Sequence, residues 1–479
     1  MQKLEDLYPL SDMQAGLLFE TLLNAEGRAY VTQHSSVFQN LDPPAFQRAL
    51  QQVVKRHAVL RTAFIWKTSS RPLQAVLTHV DVLFEERDWS HLSPELQAQH
   101  TAAYLQEDRA TGFDLARAPL MRVAAMRLNG HSHRVFVTHH HALLDGWSLP
   151  LLFGEIAAFY RMERDGVRSQ PAPVRPFRDY IAWLQHREPA QGEHYWRRKL
   201  SGFKGPTPLG VPVARNTAQP LSMTETNRPL SPACSKRIRT CLQRRGLTLH
   251  TLCCAAWALA LGTVADKDDV AFGAIVSGRP PELDGVESML GLFINTLPCR
   301  IRLRASEPVD SWLTTLQTEL SEMRQYQHNS LSEVRRWAGV ASGHELFTTL
   351  VDSLNYPSQP ANECGQAFQP NEGIYSNSNP YPLQLVTQDL GLIILRAVYD
   401  PGRLDSRTAG RMLRLTRWAI ASMVRQPAMP LGRVMRILKE ASRAYTRLHR
   451  RLEPPVRATL HPSHPSQIRR PGTYAERTL

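Results

Sequence analysis

The 479-residue chain reads as an α/β (α+β) protein of two lobes. Three observations predict this. Segments with the 3.6-residue apolar spacing of helices alternate with short β-rich runs along most of the length. A loop with three prolines in ten residues, VRSQPAPVRP at 167–176, separates two stretches of similar make-up. Hydrophobic residues make up 42% and charged residues 21%, a globular composition in a chain long enough to bury a large core. The chain divides into an N-terminal lobe at 1–175, a C-terminal lobe at 176–437 and a basic, disordered or truncated tail at 438–479. Two such lobes would flank a cleft, a common place for a site.

The elements follow in order. Ser11 to Leu23 places Met13, Leu17, Leu18, Thr21 and Leu22 on one helical face, with Ser11 as cap. PPAFQRALQQVVKRHAVL is a second helix, with Pro44 early and Phe46, Leu50, Val53 and Val54 at helical spacing. RTAFIW and LQAVLTHVDVLFEERDW are β-rich, and PELQAQHTAAYLQEDRATG is helical. APLMRVAAMRLNGHSHRVFVTHH is a hairpin turning at Asn129-Gly130. SLPLLFGEIAAFYRMERDG is a helix with Ser148 as its N-cap. Beyond the proline loop, FRDYIAWLQHR and GEHYWRRKL are helical. The second lobe continues with helices such as TLHTLCCAAWALALGTV and strands such as DVAFGAIVSG, FTTLVDSLNY and GLIILRAVYD.

Bulk properties narrow the function classes. The formal net charge is +14, and the tail from Leu438 holds nine Lys/Arg against three Asp/Glu. The remaining positive charge is spread thinly, without basic runs interleaved with aromatics, so we expect no nucleic-acid partner. No apolar run reaches the length of a membrane span, and the start lacks a signal-peptide pattern, so we expect no membrane and a cytoplasmic location. Six cysteines form no CxxC pair, which suits buried thiols in a reducing compartment.

The chemistry concentrates in FVTHHHALLDGWS, residues 136–148. Side chains alternate along a strand, so His139 and His141 share one face and His140 takes the other. Three readings compete on these residues alone. Adjacent histidines diverge, which argues against a metal site. Satisfied core histidines beside a turn aspartate are one alternative. A general base or positioning histidine at a strand-to-helix switch is the other. In that reading Asp145 is structural and pairs with an arginine.

HHALLDG, His140 to Gly146, resembles the HHxxxDG signature of the condensation domains of nonribosomal peptide synthetases, within the chloramphenicol acetyltransferase-like superfamily. YPLSDMQAGLLFETLL, RHAVLRTAF, RDYIAWLQ with YWRRKLSGF, VSGRPPELDGVESMLGLFINTLPCRIRL, YQHNSLSEVRRWAG and LFTTLVDSLNYP resemble the family's other motifs, in order, over residues 4 to about 437. The resemblance implies two chloramphenicol-acetyltransferase-like lobes in a V, with the active site in the tunnel between them. It implies amide formation by attack of an acceptor aminoacyl amine on a donor thioester. No cofactor or metal is bound directly, and both substrates ride on phosphopantetheine arms. The partners are donor and acceptor peptidyl carrier proteins. By motif position, His141 lies at the reaction centre, His140 faces inward, and Gly146 leaves room for substrate with its N–H near the developing oxyanion. Asp145 is structural, with Arg61 as its salt-bridge partner. Trp147, Ser148 and Asn295 are tunnel candidates; Asn295 and Ser277-Gly278-Arg279 either reach the cleft or serve the packing of the segment that carries them. GLFINTLP is the condensation version of its motif rather than the epimerization version.

Two departures stand out. The opening motif lies within ten residues of Met1, and no adenylation or carrier motif follows, so the carriers are expected in trans or on missing modules. LFTTLVDSLNYP carries Asp352-Ser353 where a buried strand calls for apolar residues, a cost unless the charge is paired. A free-standing acyltransferase acting on a small amine and a non-catalytic scaffolding remnant are the alternative functions.

Overall fold

A computed structural model describes residues 3–23, 29–67, 71–166, 172–211, 223–341, 344–355 and 381–452, with side chains to 447. The first half runs β1 (Leu4–Pro9), α1 (Asp12–Leu23), β2 (Val31–Gln39), α2 (Pro43–Arg56), β3 (Thr62–Ile65), β4 (Leu73–Leu77), β5 (Leu83–Asp88), α3 (Pro94–Thr111), β6 (Met121–Arg127), β7 (Ser132–His140), α4 (Ser148–Asp165), α5 (Phe177–Gln185) and α6 (Pro189–Lys199). The second half runs β8 (Thr224–Pro229), α7 (Pro232–Arg245), α8 (Leu249–Ala265), β9 (Asp269–Val276), β10 (Asn295–Arg302), α9 (Val309–Arg324), α10 (Leu331–Trp337), β11 (Thr349–Leu354), β12 (Leu383–Asp389), β13 (Ile393–Tyr399), α11 (Ser406–Arg425) and α12 (Leu431–Leu452).

The strands form an antiparallel sheet, β1-β4-β3, and two mixed sheets, β2-β7-β6-β5 and β10-β9-β11-β12-β13-β8. The β6–β7 hairpin turns through Gly130 at φ +66°, a value glycine adopts without steric cost. Asp42 caps α2 by accepting from Ala45 N at 3.0 Å, and Pro43 follows at the first helical position. Phe46, Leu50, Val53 and Val54 of α2 are buried in the first core. Helix α8 is apolar on every face, and Thr251 to Gly262 are buried without a break. Such a helix lies inside a core rather than on it.

The two main cores do not follow the division drawn from the sequence. Phe177, Tyr180 and Ile181 of α5 pack into the first core, although they lie past residue 175. Leu283, Val286, Met289, Leu290 and Phe293 join it from the second half. Their segment leaves β9, crosses to the first core and returns as β10.

The stretch assigned to an irregular tail begins as helix. α12 extends to Leu452, and Leu431, Val434 and Leu438 are fully buried. Its arginines occupy the other faces, so the basic composition hid a strongly amphipathic pattern. Residues 453–479 lie outside the described residues.

Candidate active site

The HHHALLDGWS stretch begins at the end of β7, the strand paired with β2. His139 and His141 both line a large cavity together with Gly146 and Trp147. His140 is not among the lining residues and is fully buried. The alternation expected of a strand therefore holds to its last residue.

His140 is tied into the wall behind the cavity. Its Nδ1 accepts from Ala142 N at 3.2 Å. Nε2 must then carry the ring proton, which it donates to Thr21 Oγ1 at 3.1 Å. Thr21 donates onward to Leu17 O at 2.7 Å. Burial pushes the His140 pKa down to about 3, so the ring is neutral near pH 7. Burial also lowers His141, against an opposing pull from Asp145. His139 stacks on His34 with ring centroids 5.7 Å apart, and burial keeps both well below the usual imidazole range.

Asp145 is fully buried and anchors the turn. One carboxylate oxygen accepts from Ser148 N (2.9 Å), Ser148 Oγ (2.7 Å) and Arg279 Nη2 (3.2 Å), and the other from Phe293 N (3.0 Å). The expected ion pair with Arg61 does not form. Arg61 instead donates to Val54 O at 3.2 Å, to Leu77 O, and to Glu5 at 2.5 Å. Arg61 is held by α2 and β4, whereas the crossing segment is bonded directly to the turn through Gly291 O and Phe293 N. Arg279 is therefore the partner of Asp145. Its other nitrogen donates to Val286 O (2.5 Å) and Met289 O (2.9 Å), and its guanidinium lies 3.9 Å from the Phe293 ring centroid. One arginine thus ties the histidine turn to the crossing segment.

Ser148, expected to cap α4, is the first residue of that helix instead, and its hydroxyl turns back to Asp145 and to Gly291 O (2.9 Å). Trp147 donates from Nε1 to Glu287 O at 3.1 Å while also bordering the cavity. Asn295 borders it from the opposite half. Its Nδ2 donates to Gln327 O (2.9 Å) and Asn329 O (2.7 Å), which pins the loop before α10. Gly278 sits at φ +63°, and a Cβ there would lie 1.7 Å from Phe293 O. Only glycine lets these two backbone segments approach so closely.

The cavity measures about 1450 Å³ and is lined by both halves. Among the described residues no three His, Cys, Asp or Glu side chains are grouped so as to hold a metal ion. No single described helix is long and apolar enough to cross a membrane.

Sequence reasoning places His139 outside the motif and names Arg61 rather than Arg279. The strand period already puts His139 on the face of His141, and Arg279 stands in the stretch VSGRPPELDG. The His34–His139 stack carries no sequence signal, because it is made across β2 and β7.

The chain is similar to known proteins over most of its length. The family model "Condensation domain" matches residues 4–445. A linear gramicidin synthase chain of Brevibacillus parabrevis is 34% identical over 443 residues, which is 90% of this chain and 9% of that protein. Bacitracin synthase 3 of Bacillus licheniformis is 33% identical over 404 residues, 83% of this chain and 6% of that protein. The chain thus spans under a tenth of the length of these relatives. The first condensation domain of the calcium-dependent antibiotic synthetase superposes with a TM-score of 0.75 at 20% identity, covering 89% of this chain and 98% of that one. The starter condensation domain of rhizomide synthetase superposes at 0.74 and 20% identity, covering 89% and 96%. These similarities favour neither a free-standing acyltransferase nor a scaffold. The chain belongs to the condensation-domain family, the amide-forming acyltransferases of nonribosomal peptide synthetases.

Proposed function

We propose that the cavity between the halves is where the amine of an acceptor aminoacyl thioester attacks a donor acyl or peptidyl thioester, both delivered on phosphopantetheine arms of carrier proteins. The observation that carries this reading is the placement of His141 and Gly146 on the wall of one cavity that both halves line. Its volume of about 1450 Å³ exceeds a single small-ligand pocket and leaves room for two tethered substrates.

A thioester is already activated, so most of the acceleration comes from holding the two reactants in attack geometry. The attacking nitrogen must lose a proton and the departing thiolate must gain one. His141 is the group for this transfer. Its lowered pKa keeps the imidazole neutral and able to accept at neutral pH. The Gly146 N–H, just before α4, faces the oxyanion that develops at the donor carbonyl. His140, Asp145 and Arg279 position this turn without touching substrate. Trp147 and Asn295 border the substrate path. The positive chain draws acidic carriers, supplied in trans or by further modules, to the cavity mouths.

The test is dipeptide formation from aminoacyl carriers or pantetheine thioesters, followed by mass spectrometry. His141→Ala is expected to lower the rate about 10²–10⁴-fold, the usual contribution of a general base, with an unchanged circular dichroism spectrum. Product at the wild-type rate from the folded variant would overturn this role of His141.

A further inference from the structure

One stretch of the cavity wall is not used by this chemistry. It lies on the large sheet, where Leu350, Asp352 and Leu354 of β11 share a face by strand alternation and all border the cavity. Leu350 pairs with Gln384 of β12, and Gln384 Nε2 donates to Asp352 Oδ2 at 3.3 Å. Around this polar pair the wall is apolar and aromatic. Ile275 of β9 borders it, and Phe347 stacks on Tyr381 with ring centroids 5.1 Å apart. The charged group that acts on Asp352 is Arg396 of β13, one strand beyond Val386. Arg396 donates to Gln388 Oε1 at 2.5 Å, and among the described residues no cation lies within ion-pair distance of Asp352.

The sequence marks Asp352 as a charge where the strand calls for an apolar residue. Its position explains how the fold tolerates it, since it is half-buried and borders the cavity rather than lying inside a packed core. A carboxylate there still lacks a full counter-charge, and burial pushes its pKa up to about 7 despite Arg396. A cationic group arriving in the cavity would supply that counter-charge. The ammonium–carboxylate contact would form away from bulk water, where it is stronger.

On the reading that this cavity is the amide-forming site, we propose that Asp352, with Gln384 beside it, recognises a side-chain ammonium on one of the two substrate residues, an amino acid of the ornithine or lysine kind. The same aliphatic side chain without the ammonium would leave the carboxylate unpaired beside apolar surface, so the wall discriminates in both directions. The side chain can belong to the donor or to the acceptor residue, and the two are separable by experiment.

The probes are non-hydrolysable pantetheine amides. One pair carries ornithine or norvaline with a free α-amine, as acceptor analogues. The other carries the same residues N-acetylated, as donor analogues. Binding to the whole chain is measured by calorimetry at pH 8. Wild-type protein is expected to bind the ornithine member of one pair at least about 10-fold more tightly than its norvaline partner, the scale of a hydrogen bond to a charged group. The pair that shows the preference identifies the side. Asp352→Asn should bring the ratio near unity, and Asp352→Glu should retain its direction. Equal or weaker ornithine binding in both pairs of the wild type overturns the proposal, and so does a preference that survives Asp352→Asn. Dipeptide formation from ornithine and norvaline thioesters, each supplied in turn as donor and as acceptor, is read on the same wild-type protein. Its absence in every combination counts against the amide-forming reading, whereas the binding ratio bears on Asp352 alone.

Discussion

Replacing Arg279 by leucine should be far more damaging than replacing Arg61 by leucine. Both arginines are almost wholly buried, at 7% and 6% exposure. They differ in what each leaves behind. Loss of Arg279 strands the fully buried Asp145 carboxylate, together with Val286 O and Met289 O, which it also serves. Breaking a buried ion pair from one side costs about 3–5 kcal/mol, because the remaining charge has no counter-ion. The hydrogen bonds from Ser148 and Phe293 keep Asp145 from being wholly unsatisfied, which places the expected loss near the lower end of that range. Loss of Arg61 frees Glu5, whose side chain is 45% exposed and is rehydrated at little cost. The unserved carbonyls of Val54 and Leu77 cost about 1–3 kcal/mol each, the same penalty that Val286 O and Met289 O add on top of the stranded Asp145 when Arg279 is lost. Urea unfolding followed by circular dichroism, with a common slope, gives both values. An Arg61→Leu midpoint as low as that of Arg279→Leu would refute the assignment of Arg279 as the anchor of the motif.

Other outcomes follow from the same structure. Gly278→Ala should lower the unfolding midpoint sharply or abolish soluble expression, since its methyl would collide with Phe293 O at a backbone angle L-residues rarely adopt; a wild-type midpoint would contradict this. Acid should also destabilise the fold. His34 and His140 titrate in the folded chain at about 4 and about 3, against about 6.5 when unfolded, so their contribution is complete above pH 6.5 and is lost as pH falls below it. Each costs about 2 kcal/mol between pH 7.5 and pH 5. Asp352, with its carboxyl raised to about 7, acts in the opposite sense and returns about 2–3 kcal/mol over the same interval. The two histidines outweigh it, so the urea midpoint at pH 5 should lie below that at pH 7.5, and an unchanged midpoint would count against the buried neutral histidines.

Much of this molecule can be read from its sequence wherever burial imposes a period. The apolar spacing of α2 and the turn of the β6–β7 hairpin follow from local pattern and appear where expected. Strand β8 carries no such pattern. TETNRP is mostly exposed at the sheet edge and is a strand only because β13 offers it backbone partners. Helix α12 is hidden for the opposite reason, since its arginines dominate the composition while one narrow face goes into the core. In the site, the motif's spacing determines which histidines share a face. Spacing does not determine the partner of Asp145, because Arg279 lies 134 positions further along and reaches it only through the crossing segment. Long-range ion pairs have no period, and either arginine satisfies the need for a counter-charge.

The crossing segment also sets a timetable for the chain as it leaves the ribosome. Residues up to Gln185 supply nearly all of the first core, yet its remaining wall, Leu283 to Phe293, is made about a hundred residues later. At ordinary synthesis rates the nascent first half waits on the order of 5–20 s with apolar surface open to water. The histidine turn is left without Arg279 and the Phe293 N–H for the same interval. The histidine turn is thus one of the last parts of the first half to become ordered, and the exposed core before that moment is a surface for chaperones to hold.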